Sequence, residues 1–228
     1  MLFEHIKTGI GKIDEVLDGG IIKKSSVLFL GSKNSKKEIT LMELLKNRII
    51  TGDALLYITT NKKPDIISTI FTNNKLDISE HGKKGMFKWI DAYSRSIGEN
   101  AANSEKIMNV SNPQSLNELN TAINKFNKEL GAKNPELIDI YDNVSISLIQ
   151  QDSVLTKQFF HHLIGNIKNT ATLFLLMDKD SHDKETIATL SLFCDYVFDF
   201  EKDKPSNKDA IKIKIHNAFT NEEKEILL

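Results

Sequence analysis

Short apolar runs alternate along this chain with longer stretches in which apolar residues return every three or four positions. The runs at 27–30, 54–59, 86–91, 137–141, 171–177, 194–200 and 211–215 have the length and side-chain types of buried strands. Between them, residues 38–50 carry Ile39, Leu41, Met42, Leu44 and Leu45 at helical spacing, and Ile66, Ile67, Ile70 and Phe71 repeat the pattern after Pro64. Pro113 opens a further helix through Leu116, Leu119, Ile123 and Phe126, with Gly131 as its C-cap, and residues 154–167 form another. Residues 92–112 are polar and read as a long surface loop suited to partner contacts, and 178–185 as a charged connection. The run at 211–215 alternates Ile with Lys as an edge strand does. Strands alternating with crossover helices predict an α/β fold with a mostly parallel central sheet flanked by helices on both faces.

Composition narrows the function classes. A chain of 228 residues fits one wound domain, 1–228, and a hydrophobic fraction of 40% is enough for a real core. Thirty Lys and Arg against 31 Asp and Glu leave a formal charge of -1, so no global field draws in nucleic acid or an anionic membrane. Cys194 is the single cysteine, which excludes an intrachain disulfide and fits a reducing compartment. Neither a secretory leader nor an apolar run of membrane-spanning length is read, so the expected location is the cytoplasm.

The first strand leads into Gly31-Ser32-Lys33-Asn34-Ser35-Lys36-Lys37-Glu38 and then a helix. This is the setting of a phosphate-binding loop, G-x-x-x-x-G-K-[ST], whose backbone N–H groups and lysine hold phosphates while its hydroxyl binds Mg²⁺. Gly31 and Lys37 match. Lys36 stands where the second glycine lets the backbone approach phosphate, and Glu38 stands where the metal-binding hydroxyl belongs. A carboxylate suits the positive end of the helix yet repels a phosphate bound there, whereas Lys33, Lys36 and Lys37 attract one.

Residues 7–21, with Thr8-Gly9, Asp14 and Gly19-Gly20 directly ahead of the first strand, resemble the lead of the KaiC-like branch of the RecA superfamily. Trp89-Ile90-Asp91-Ala92-Tyr93-Ser94, residues 138–145 and residues 194–200 resemble three later segments of archaeal members, in order and at matching spacing. The resemblance implies a RecA-like fold, binding of ATP with Mg²⁺, and assembly into rings or filaments. Family members also end their second strand with paired glutamates that prepare the attacking water. Here Asn61 and Lys62 fall at those places, and neither is an ordinary general base at neutral pH. Asp142 matches the aspartate that holds the metal's shell. It reads equally as an acid capping the turn through Asn143 and Ser145. Lys214 is kept where a trans-acting lysine is expected, without a following arginine.

Three readings stay open. One is a regulatory or scaffold protein that serves an unidentified protein partner, hydrolyses nothing and binds nucleotide weakly at residues 31–38 and Asp142. The second is an ATPase with substituted chemistry, in which Glu38 takes the metal. The third is a DNA-associated RecA paralogue, which the acidic loop after residue 177 opposes. Other features carry bland readings: His161-His162 as a surface pair, Asp178 to Asp183 as a failed calcium loop without its glycine, Lys23-Lys24 and Lys83-Lys84 as solvated faces, and Trp89 as core.

Overall fold

The computed structural model describes residues 3–33, 35–132, 136–149, 153–201 and 210–228. A small antiparallel pair, β1 (His5–Ile6) and β2 (Ile21–Ile22), encloses helix α1 (Gly11–Val16). The main run is β3 (Ser26–Gly31), α2 (Lys37–Thr51), β4 (Ala54–Thr59), α3 (Pro64–Asn73), α4 (Ser79–Lys83), β5 (Phe87–Asp91) and β6 (Ile107–Asn109). Then come α5 (Leu116–Gly131), β7 (Leu137–Asp142), α6 (Val144–Ile149), α7 (Ser153–Ile167), β8 (Thr172–Asp178), α8 (Lys184–Phe193), β9 (Tyr196–Phe200), β10 (Lys212–Asn217) and β11 (Glu222–Leu227).

Among the described residues these strands form a nine-stranded sheet of order β11-β10-β9-β3-β8-β7-β4-β5-β6. Pairing is parallel from β9 through β6, and β10 pairs antiparallel with both β9 and β11. The expected α/β fold with a mostly parallel sheet and helices on both faces is therefore present. Alternate residues of each central strand serve opposite faces, as the two-residue period of a strand requires. Leu28, Leu30, Leu56, Ile58, Leu173 and Leu175 pack toward α5, α7 and α8. Val27, Phe29, Leu55, Tyr57, Phe174 and Leu176 pack toward α1, α2 and α3. Trp89 belongs to the second core, against Tyr57, Phe71 and Phe87.

Several boundaries differ from expectation. The Ile and Lys alternation of β10 reflects burial of Ile213 and Ile215 on one face; β11 lies outside it and forms the edge. The helix after Pro113 begins at Leu116, because the Pro113 carbonyl accepts a hydrogen bond from Ser147 Oγ and Ser115 N–H donates to Asn112 O. Gly131 is the last helical residue rather than a left-handed cap, and Ala132 N–H still donates to Lys128 O. Residues 92–112 are pinned rather than merely looped. They hold β6 and a 3-10 turn, and the Arg95 guanidinium donates to the carbonyls of Ala101 and Asn109. Within the charged connection, α8 already begins at Lys184, capped by the Asp183 carboxylate on Thr186 N–H.

Candidate phosphate-binding site

Gly31, Asp178, Asp142 and Thr59 end neighbouring parallel strands at one edge of the sheet. Gly31 is the register partner of Asp178, and Thr59 that of Asp142. Alternation does the rest. Met177 and Tyr141 face one core, so Asp178 and Asp142 turn to the other face, where α2 begins.

The loop packs tightly onto this edge. A Cβ on Gly31 would stand 2.3 Å from Ser35 Oγ and 3.0 Å from Phe200 Cβ, so only glycine leaves room for the buried Ser35. Ser35 N–H and Oγ both donate to the Ser32 carbonyl, at 3.1 and 2.8 Å. Lys36, half-buried, adopts the left-handed conformation, φ 62° and ψ 16°, and is the N-cap residue of α2. A glycine takes that conformation without steric cost, and the loop keeps it with a lysine. Lys33 is exposed, and Asn34 lies outside the described residues.

Lys37 is fully buried and its ammonium is surrounded. It donates to Asp178 Oδ1 at 2.8 Å and to the Ser32 carbonyl at 3.2 Å, with Glu38 Oε1 at 3.1 Å. A buried ammonium needs such partners, since an unpaired charge out of water is costly. Asp178 is shared: its Oδ2 accepts from Asn143 Nδ2 at 2.6 Å, and its backbone N–H donates to Ser145 Oγ at 2.9 Å.

Asp142 accepts a hydrogen bond from the Tyr57 hydroxyl at 2.7 Å. Burial pushes both pKa values up, and the Asp142 charge adds to the rise at Tyr57; Tyr57 and then Lys62 oppose the rise at Asp142. The turn after Asp142 is capped by Asn143, whose Oδ1 accepts from Ser145 N–H at 2.9 Å. The turn-capping role read for Asp142 therefore belongs to its neighbour. Thr60 closes the arrangement: its hydroxyl donates to Asn143 O at 2.9 Å and accepts from Asn143 N–H at 2.7 Å. Asn61 Oδ1 is buried and has no hydrogen-bond partner, and Lys62 is exposed.

Residues 31–33, 35–38 and Asp142 thus share one neighbourhood, with Asn61 and Lys62 beside it. A family model described as "ATPase: KaiC" matches residues 6–216. The chain belongs to the KaiC family. A UPF0273 protein of Aeropyrum pernix is 27% identical over 132 residues, 58% of this chain and 52% of that protein. A UPF0273 protein of Pyrococcus horikoshii is 30% identical over 95 residues, 42% of this chain and 38% of that protein. The matched segments thus span about half or less of these curated relatives. The crystal structure of a KaiC-like protein of Pyrococcus horikoshii superposes with a TM-score of 0.73 at 12% identity, covering 99% of this chain and 94% of that one. An uncharacterized protein from the same organism, solved in complex with an unknown peptide, gives 0.77 at 15% identity over 98% and 99%.

In this KaiC-family chain the resembling segments outside the loop are braces. The Asp14 carboxylate accepts from Thr8 N–H, Thr8 Oγ1 and Gly9 N–H at 2.6, 2.7 and 3.1 Å. Gly20 has φ 119°, and a Cβ there would lie 2.1 Å from the Ile6 carbonyl oxygen. Asp91 caps the turn after β5 on Tyr93 and Ser94 N–H, both at 2.9 Å. Asp195 holds Ser26 N–H at 2.8 Å and Lys168 Nζ at 2.8 Å.

Sequence reasoning missed Asp178, Asn143, Thr60 and Tyr57 as parts of the site. Asp178 carried one signal, an acid closing the most apolar run, but its nearness to Lys37 requires β8 to pair with β3, which no local pattern states. The remaining candidates stay apart from chemistry. His161 packs on Phe193 with ring centroids 4.9 Å apart, and Lys23 is paired with Glu4 and Glu136 at 2.9 and 2.5 Å rather than solvated. Among the described residues no group of three or more His, Cys, Asp or Glu is placed to hold a metal ion, and no helix is long and apolar enough to cross a membrane.

Proposed function

We propose that this KaiC-family chain is a degenerate member that does not hydrolyse nucleotide and acts as a regulator or scaffold for a protein partner. Its phosphate loop retains weak nucleotide binding at most. One observation carries this reading. The end of β4 offers Thr60, Asn61 and Lys62 where a carboxylate must prepare water, and Thr60 is already spent on bracing Asn143. Phosphoryl transfer is accelerated almost wholly by positioned charge and metal, so these losses multiply.

Mg-ATP, the ligand that the family implies, fits this donor set poorly. The place of the metal's hydroxyl ligand is taken by Glu38, whose carboxylate lies on Lys37, and the Asp142 carboxylate is engaged by Tyr57. Phosphate alone fits better. The loop keeps its left-handed turn at Lys36 and the N-terminus of a 15-residue helix, and the buried Ser32 Oγ has no partner. These features support ATP binding without turnover through residues 31–38, with Asp142 at the rim.

The partner half of the reading rests on surface. A groove of about 750 Å³ between α5 and α7 has an apolar floor of Leu116, Phe159 and Leu163 under a rim of amides. The solved relative in complex with an unknown peptide is consistent with such a use. Assembly of several copies follows only by analogy with RecA-like folds. Against a DNA-associated role, the turn after β8 carries Asp180 and Asp183, which repel phosphates.

The test is phosphate release from radiolabelled ATP with Mg²⁺, comparing the native chain with Lys37→Ala. The expected result is no release above buffer from either protein. Mg²⁺-dependent release by the native chain that Lys37→Ala abolishes would transfer the assignment to an ATPase with substituted chemistry.

A further inference from the structure

We infer that the loop is held in a self-occupied state, in which Asp178 and Glu38 fill the position of a phosphate anion on Lys37 and set how tightly the site takes one. The inference rests on reading residues 31–38 as a phosphate-binding loop, and it concerns the regulation of that same loop.

The geometry has three parts. First, Lys37 Nζ is fully buried and meets oxygens from three directions: Asp178 Oδ1 at 2.8 Å, Glu38 Oε1 at 3.1 Å and the Ser32 carbonyl at 3.2 Å. Two of these carry negative charge, so an entering phosphate finds its cation already neutralised and must displace a carboxylate. Second, both carboxylates can leave. The Asp178 side chain keeps 30% of its exposure and that of Glu38 48%, against 0% for Lys37. Third, Asp178 has somewhere to remain. Its second oxygen is held by Asn143 Nδ2, so the carboxylate can release Lys37 and stay anchored to the turn after β7.

Charge accounts for the direction of the effect. Asp178 and Glu38 lie on the Lys37 ammonium, and the Asp142 carboxylate is close enough to interact with Lys37, Glu38 and Lys62. Removing one negative charge at hydrogen-bond distance from the ammonium takes away both a competitor and a repeller of the incoming anion. Asp178→Asn is the informative change, because the amide oxygen can still accept from Lys37 while the charge is lost, at the cost of the hydrogen bond from Asn143 Nδ2. Glu38→Gln removes the other charge from an exposed position.

The experiment is calorimetric titration of inorganic tripolyphosphate, and separately of ATP, without Mg²⁺, into the native chain, Asp178→Asn, Glu38→Gln and the double variant. Circular dichroism checks the fold. The expected result is weak binding by the native chain and about a tenfold or greater gain in each single variant, a step of about 1.4 kcal/mol, with the largest gain in the double variant. If Asp178→Asn fails to fold, Glu38→Gln decides on its own. Unchanged or weaker binding in the folded variants overturns the inference, as does a native chain that already binds as tightly as they do. Failure of all four proteins to bind removes the self-occupied state and leaves the absence of hydrolysis intact.

Discussion

Asp139 sits mid-strand in β7, wholly buried, with Asn127 Nδ2 donating to its Oδ2 at 2.6 Å. Its other oxygen and Asn127 Oδ1 are both buried without a partner, so the pair holds two acceptors and lacks one hydrogen. Burial pushes the Asp139 pKa up to about 7, opposed by the Asn127 hydrogen bond. The charged side chains in line with it on that face, Lys88 and Glu129, are paired with each other, and Lys88 also lies over the Phe126 ring. The folded chain therefore keeps a proton that the unfolded chain has lost from about pH 4 upward. Stability contributed by the protonated form is full at low pH and falls away as pH rises through about 7. Asp139→Asn supplies the missing hydrogen, because its amide can donate to Asn127 Oδ1. The variant should gain about 2–4 kcal/mol at pH 8 and converge on the native chain near pH 4, read by urea denaturation across pH.

At the scale of elements, the loop between β3 and α2 is a backbone shape kept by an unsuitable residue. Lys36 at φ 62° bears the steric cost of the left-handed region, about 1 kcal/mol for a residue with a Cβ. Lys36→Gly should therefore raise stability by about that amount, seen as a higher urea midpoint at unchanged slope. A loss of stability would mean that the lysine side chain, and not the turn, sets the conformation. The neighbouring elements were legible to different degrees. Strands β3, β4, β7 and β8 could be read because they are buried on both faces and most of their residues are apolar. Strand β11 could not: five of its six residues, Glu-Glu-Lys-Glu-Ile-Leu, are charged or exposed, and only Ile226 reaches the core. Strand β6 is three residues in a polar stretch, fixed by pairing with β5 rather than by its own composition.

At the scale of the molecule, both cores are built on the same strands, with adjacent residues such as Leu28 and Phe29 entering opposite layers. Neither layer can be lost without stripping one face of the other's sheet. We therefore propose that residues 1–228 act as one cooperative unit. Urea unfolding followed by far-ultraviolet circular dichroism and by Trp89 fluorescence should give coincident single transitions, since Trp89 sits in one layer and the helices occupy both. Separate midpoints would divide the chain into independent parts.

The sequence by itself determined the succession of the apolar strands and of the helices between them, and it set Lys36, Glu38, Asn61 and Lys62 at the positions from which the proposed function is argued, because each follows from local periodicity or from residue type at a fixed spacing. Strand order was decided only in three dimensions. It places β8 between β3 and β7, and so brings Asp178 onto Lys37 across 141 positions of chain. The same order joins Tyr57 to Asp142 and Thr60 to Asn143. Pairing between distant strands is a property of how whole layers pack, and a side chain's neighbours across the sheet leave no mark in the residues beside it.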